Sequence, residues 1–157
     1  MNHPEQAKIL PVVQFSSIVV LDESQRILLV LQAAPELAGL WNTPGGGSEP
    51  GELPDIAARR ELHEETGLRG FELVFVDSVL WRGDRGDLLL GNIFLTHVHS
   101  SVSLQPVACE EILEAQWFTK SEFDEMFKNG TIRTYFTKLF VESALEFAQK
   151  NPFGEPT

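Results

Sequence analysis

The sequence predicts one α/β domain in which a mixed β-sheet is covered by helices on both faces. Two observations lead to this prediction. Strand-like stretches rich in β-branched residues begin with Val12–Leu21 and Ile27–Leu31, joined by the turn-like residues 22–25. A helical segment then separates these strands from later ones, and two further helical segments follow the last strand. With 157 residues the chain can bury one sizeable core, so residues 1–157 are expected to form one domain with flexible tails at 1–8 and 151–157.

The first half of the chain contains the least regular segment. Residues 32–41 are expected to form a loop, and residues 43–47, which include three consecutive glycines, are too rich in glycine for a strand or a helix. Pro54 suits the first turn of a helix, where its missing N–H costs nothing. That helix should end at Gly67, since glycine readily adopts the left-handed conformation that closes helices.

The second half predicts three more strands and two helices. Strands are expected at 71–80, 88–99 and 115–118, with a turn at 81–87. Thr119 and Glu122 have the spacing of a capping box for a short helix. The last helix, at about 133–149, places apolar residues on one face, which should pack on the core or on a partner. These residues are Phe136, Phe140, Ala144 and Phe147.

Composition narrows the function classes. No apolar stretch is long enough to cross a bilayer, and the polar N-terminus lacks the features of a signal peptide. The one cysteine, Cys109, suits a reducing compartment, so we expect a cytoplasmic protein. The net charge of −11 argues against nucleic-acid partners. A small polyphosphate would need divalent cations or a few placed cationic side chains to bind such a chain.

Three glutamates share one face of the first predicted helix. At about 100° per residue, Glu61, Glu64 and Glu65 project within an arc of roughly 100°. Like charges this close destabilise a helix, and a hard divalent cation such as Mg²⁺ or Mn²⁺ would remove the repulsion. Arg60 lies one turn before Glu64 and can hold carboxylates in position. The glycines before this helix let the backbone approach a ligand closely, but no Walker-type Gly-Lys-Ser/Thr ending is present.

The segment from Gly46 to Leu68 resembles the Nudix box, GX5EX7REUXEEXGU with U apolar. Every fixed position matches: Gly46, Glu52, Arg60-Glu61, Glu64-Glu65 and Gly67. The resemblance implies a Nudix α/β/α sandwich and a pyrophosphohydrolase that uses Mg²⁺, with Mn²⁺ also supporting activity. It further implies that Glu61, Glu64 and Glu65 bind metal and that Glu61 or Glu64 activates water. Arg60 then completes the catalytic group by orienting these glutamates, and Glu52, Gly46 and Gly67 support the site.

The same resemblance extends beyond the box. The carbonyl of Gly45 matches a position that often joins the metal shell. Glu111 lies six residues before Trp117, as does a further metal-binding glutamate in many family members. Residues 132–140 are similar to those of a deinococcal Nudix hydrolase acting on dinucleoside polyphosphates and nucleoside triphosphates. These substrates are therefore expected first, with nucleotide sugars or ADP-ribose as alternatives.

Residues that would contact the substrate are less clearly marked. Trp41 can stack a base or fill the core, and Arg82 and Arg85 can reach a phosphate from their turn. A function of another class, nucleotide sensing without catalysis, stays open, although such domains tend to lose box glutamates and this chain has kept them. A homodimer through the aromatic face of the last helix is a further possibility.

Overall fold

The computed structural model describes residues 12–107 and 110–152. The strands are β1 (Val12–Leu21), β2 (Ile27–Gln32), β3 (Trp41–Asn42), β4 (Gly45–Gly47), β5 (Val74–Arg82), β6 (Leu88–His97) and β7 (Ile112–Phe118). The helices are α1 (Pro54–Thr66), α2 (Lys120–Lys128) and α3 (Tyr135–Lys150), with a short 3-10 turn at Pro35–Leu37. The interpretation of Cys109 and the predicted tails at 1–8 and from 153 onward fall outside the described residues.

The strands form one mixed sheet, as predicted. Its order is β3-β2-β1-β6-β5, with β4 added beside β1 and β7 beside β2. The long central strands β1 and β6 run parallel over their whole length, from Val12 opposite Leu88 to Leu21 opposite His97. The other pairings between the strands of the described residues are antiparallel. β1 occupies the middle of this order and pairs with β2, β4 and β6.

Side-chain alternation along β1 divides the interior into two layers. Ile18 and Val20 face α1 and pack with a cluster that includes Ala58 and Leu62. Val19 and Leu21 face the opposite side, where α2 contributes Phe123 and α3 contributes Phe140, Val141 and Ala144. Helices therefore cover both faces of the sheet, which confirms the predicted α/β/α architecture.

The glycine-rich segment departs from the prediction. Gly45–Gly47 forms a short strand, antiparallel to β1, with Gly46 opposite Ser16. Strand pairing uses backbone groups alone, and this half of β1 has an edge free to accept a partner, so the pairing overrides the poor strand propensity of glycine. Two predicted irregular segments are also shorter than expected, since Trp41 begins β3 and β5 extends through Arg82.

The helix ends follow the predicted chemistry. Gly67 closes α1 with φ of 80° and donates its N–H to the carbonyl of His63. The hydroxyl of Thr119 accepts the N–H of Glu122 at the start of α2, as the capping-box spacing predicted. None of the helices among residues 12–107 and 110–152 has the length and hydropathy to span a bilayer.

Candidate metal and nucleotide site

Helix α1 places two of its glutamates at the edge of the sheet. Ala57 and Ala58 are fully buried, and their small side chains let α1 lie close against β1. The adjoining face then carries Glu61 and Glu65 toward β4. Both glutamates are nearly enclosed, with 7% and 4% of their surfaces exposed. Burial of two carboxylates is costly unless a cation or proton compensates their charge.

A third carboxylate comes from a distant loop. Oxygens of Glu61, Glu65 and Glu111 lie within 4.8 Å of one another. The loop between β6 and β7 docks on the end of α1, where Gln105 donates its N–H to the carbonyl of Thr66 at 2.9 Å and Val107 donates to that of Glu64 at 2.7 Å. The structure thus brings Glu111 to the helix glutamates.

Two carboxyl groups of the cluster have pKa values above the ordinary value of a glutamate. Burial, followed by the charge of Glu61, raises the pKa of Glu65 to about 9, although the N–H of Gly45 lowers it in part. Burial also raises the pKa of Glu61, opposed by the guanidinium of Arg60. Three hard oxygen donors that repel one another fit the preference of Mg²⁺ or Mn²⁺, so the donor set suits such an ion.

Arg60 is the positive centre of the site. Its guanidinium donates to both oxygens of Glu52 at 2.9 Å, to Glu61 Oε1 at 2.9 Å and to the carbonyl of Gly47 at 3.1 Å. The same group reaches Glu64 Oε2 at 3.3 Å. The bond from Arg60 holds the pKa of Glu52 down at about 2. Arg60 therefore connects the loop before α1, through Glu52, with strand β4, through Gly47, and with α1 itself.

Glu64 occupies a different position from the other two box glutamates. It lies outside the cluster of three carboxylates, its side chain is about one third exposed at 36%, and one of its oxygens is held by Arg60. A carboxylate that is oriented and yet open to solvent is placed to accept a proton from water.

The glycines of β4 allow close approach, as the sequence predicted. A Cβ on Gly46 would lie 2.5 Å from Glu61 Oε1, so a side chain there would displace the glutamate. Gly45 donates its N–H to Glu65 Oε2 at 3.2 Å. Gly45 thus contacts the cluster through its N–H, and the role of its carbonyl in a metal shell stays a prediction.

A cavity of about 620 Å³ opens beside these glycines. Aromatic side chains form much of its wall, and the ring of Trp81 stacks on Phe136 with centroids 4.2 Å apart. Polar groups at the cavity include Asn42, Asp84 and Arg133. Such a mixture of apolar wall and few polar groups is typical of a small-molecule site.

Asn42 is the most firmly held of the polar groups. Its Oδ1 accepts the backbone N–H of Thr43 at 2.9 Å and the hydroxyl of Thr137 at 2.8 Å. The Thr137 hydroxyl also lies 3.3 Å from that of Thr134, the residue that caps α3. The side chain of Asn42 is therefore fixed from two elements far apart in sequence.

The three residues expected to contact substrate, Trp41, Arg82 and Arg85, are not among those that line this cavity. Trp41 packs edge-on against Phe118, with ring centroids 5.0 Å apart, and is not among the cavity-lining residues. Arg82 donates to the carbonyl of Gly86 in its own hairpin, and Arg85 is exposed in that turn. The placement of Trp41 favours the packing alternative.

The sequence did not identify the residues that do line the cavity. Asn42 and Thr137 are 95 positions apart, and no local spacing links them. Phe136 was assigned to a packing face, and the structure shows that it both packs and lines the cavity. Arg133 lies within residues 132–140, and nothing in that segment of the sequence indicates that it lines a cavity.

Most of the chain matches the model of one known protein family. A family model described as "NUDIX domain" matches residues 12–140. The NAD-capped RNA hydrolase NudC of Pseudomonas entomophila is 26% identical over 139 residues, covering 88% of this chain and 48% of that protein. The chain spans less than half the length of the curated relatives that it matches first.

Solved structures extend the comparison to three dimensions. A NUDIX hydrolase from Nitrosomonas europaea superposes with a TM-score of 0.70 at 25% identity, covering 87% of this chain and 90% of that one. DR0079 from Deinococcus radiodurans superposes with a TM-score of 0.67 at 13% identity, covering 83% and 82%. A deinococcal protein is thus among the structural neighbours, and at this identity the likeness concerns the fold.

Proposed function

The chain belongs to the Nudix family, and on that premise we propose that it is a Mg²⁺-dependent pyrophosphohydrolase that splits a phosphoanhydride bond in a small nucleoside diphosphate-linked substrate. The observation that supports this best is the meeting of Glu61, Glu65 and Glu111 beside a cavity of nucleotide size. Nucleoside triphosphates and dinucleoside polyphosphates are the expected substrates. The relative named as a hydrolase of NAD-capped RNA acts on a larger molecule, whereas the net charge of −11 favours a small substrate here.

In this proposal Glu61, Glu65 and Glu111 hold the divalent ion, with Glu64 and the backbone of Gly45 beside them. When bound, such an ion neutralises phosphate oxygens and lowers the pKa of water. Arg60 keeps Glu61 and Glu64 in place through its bonds to both and to Glu52. One oxygen of Glu64 is held by Arg60 and the other is left to take the proton of the attacking water. Glu61 is the alternative proton acceptor.

The aromatic face of α3 packs within the chain, since Phe140 and Ala144 belong to the core. A homodimer, if it forms, would therefore use another surface, and light scattering would detect it. We keep the cytoplasm as the proposed location because a single cysteine suits a reducing compartment.

The test is a substrate panel with Mg²⁺ or Mn²⁺, scored by product chromatography. It contains dGTP, ATP, diadenosine tetraphosphate, ADP-ribose and a GDP-sugar. Glu65→Gln should abolish metal-dependent cleavage, whereas Asp55→Asn, which neutralises an exposed carboxylate on the same helix, should leave it intact. Glu64→Gln and Glu61→Gln, assayed across pH, then distinguish the two candidate proton acceptors. Equal turnover by wild type and Glu65→Gln would refute the proposal.

A second candidate is a nucleotide sensor without catalysis. It would be favoured by metal-dependent nucleotide binding in a protein that forms no product from any member of the panel. Cleavage of ADP-ribose or the GDP-sugar alone would instead support the alternative substrates.

A further inference from the structure

The C-terminal end of α1 is capped by backbone groups of a loop distant in sequence. The last carbonyls of a helix have no partner within the helix itself. Here the carbonyl of Thr66 accepts the N–H of Gln105 at 2.9 Å, and that of Glu64 accepts the N–H of Val107 at 2.7 Å. The loop between β6 and β7 therefore lies directly against the end of α1.

Gly67 makes this close contact possible. A Cβ on Gly67 would lie 2.5 Å from the carbonyl oxygen of Gln105 and 3.2 Å from its backbone nitrogen. Both neighbours are backbone atoms, so a side chain could be accommodated only if the loop or the helix end moved. The φ of 80° explains why a glycine closes the helix. The contact with Gln105 is a separate requirement, because it concerns space and not backbone conformation.

The same loop leads to Glu111. This residue follows Val107 by four positions, a length of chain that spans at most about 14 Å. On the other side, the carbonyl of Glu111 accepts the N–H of Ala33 at 2.9 Å, just beyond β2. The side chain of Glu111 is exposed, and one of its oxygens still lies within 4.8 Å of oxygens of Glu61 and Glu65. Its position therefore depends on how the backbone is held at both ends.

From these contacts we propose that Gly67 is a positioning residue for the metal: its bare Cα lets the loop dock on α1, and the docked loop holds Glu111 beside Glu61 and Glu65. Gly67 acts through Glu111 and is not itself a metal ligand. Loss of a group that orients a metal ligand typically weakens binding by roughly 10- to 100-fold. This inference rests on the proposed function, because it concerns the affinity of the same site for its ion.

Mn²⁺ titration calorimetry on two matched glycine variants tests the inference. Gly67 and Gly70 have nearly the same φ, 80° and 77°, so alanine at either position carries similar backbone strain. A Cβ on Gly70, however, would have nothing within 4 Å. Gly67→Ala should therefore weaken Mn²⁺ binding by about tenfold or more, whereas Gly70→Ala should leave it unchanged. Equal affinities of the two variants would overturn the inference.

A double variant with Glu111→Gln shows whether the effect of Gly67 passes through this ligand. If Gly67 acts by placing Glu111, then Gly67→Ala should cause no further loss of Mn²⁺ affinity once Glu111 is replaced. General structural damage would instead give losses that add in the double variant. Additive losses would therefore refute the role of Gly67 as a positioning residue.

Gly67→Asn keeps the test decisive where Gly67→Ala does not fold. Asparagine adopts positive φ more readily than alanine does, but it has the same Cβ, so its Mn²⁺ affinity should also fall. Full Mn²⁺ binding by Gly67→Asn, in a protein that hydrolyses nucleotides, would overturn the inference alone. Binding that depends on Gly67, in a protein that hydrolyses nothing, would support the inference while refuting catalysis.

Discussion

The buried carboxyl of Glu65 makes the metal-free protein sensitive to pH in a defined direction. Glu65 is 4% exposed, and burial together with Glu61 raises its pKa from 4.5 to about 9. Between these values the unfolded chain has lost the proton that the native protein still holds. The free energy of unfolding therefore falls as pH rises, by about 1.4 kcal/mol for each pH unit in this window.

Replacing Glu65 by Gln removes this titration. From pH 6 to pH 8, metal-free wild type should lose about 3 kcal/mol more than Glu65→Gln, or roughly 5–10 °C in Tm for a chain of this size. Denaturation in the presence of a chelator, followed at both pH values, measures the difference. Asp55→Asn should follow the wild type, because Asp55 is exposed on the same helix.

The stabilisation of the protein by divalent metal, compared at two pH values, tests the same assignment of the high pKa to Glu65. Binding requires the ionised carboxylate, so Mg²⁺ or Mn²⁺ should stabilise the wild type more at pH 8 than at pH 6. Glu65→Gln should show a smaller effect. If wild type and Glu65→Gln lose stability in parallel as pH rises, the assignment of the high pKa to Glu65 is wrong.

Three further substitutions test the supports of the site. In Arg60→Lys the planar guanidinium and its contacts with Glu52, Glu61 and the Gly47 carbonyl are lost. Steady-state kinetics should then show kcat lowered by at least tenfold with a small change in KM. Gly46→Ala places a methyl group 2.5 Å from Glu61 Oε1. Titration calorimetry should therefore show weaker Mn²⁺ binding. An unchanged affinity would contradict the proposed role of Glu61. Gly67→Ala must hold φ near 80° and approach the Gln105 carbonyl to 2.5 Å, so denaturation should show a loss of about 1–3 kcal/mol.

The parts of the fold that local chemistry controls could be read from the sequence. Helix α1 begins at Pro54 and ends at Gly67, as the preferences of proline and glycine predicted. Glu111 was found from its spacing before Trp117, and the structure places it with Glu61 and Glu65. These features depend on neighbours in sequence or on a spacing that the family resemblance supplies.

The parts that depend on distant partners could not be read in this way. The strand at Gly45–Gly47 exists because β1 offers it an edge, and nothing in a run of glycines indicates that partner. One of the two hydrogen bonds that hold the side chain of Asn42 comes from Thr137, which follows it by 95 residues. A local pattern also could not show that Trp41 packs on Phe118 while Trp81 lines the cavity.

The parallel pairing of β1 with β6 has a consequence for the order in which this chain can fold. The ladder joins Val12 to Leu88 and Leu21 to His97, so the whole of α1 lies within the segment that must be closed. Long-range parallel contacts of this kind form slowly, because chain entropy is lost before they contribute energy. A nascent chain that has reached Arg82 already contains Arg60, Glu61, Glu64 and Glu65. It still lacks the central strand β6 and the loop that supplies Glu111, so the proposed metal site should mature only after most of the domain has left the ribosome.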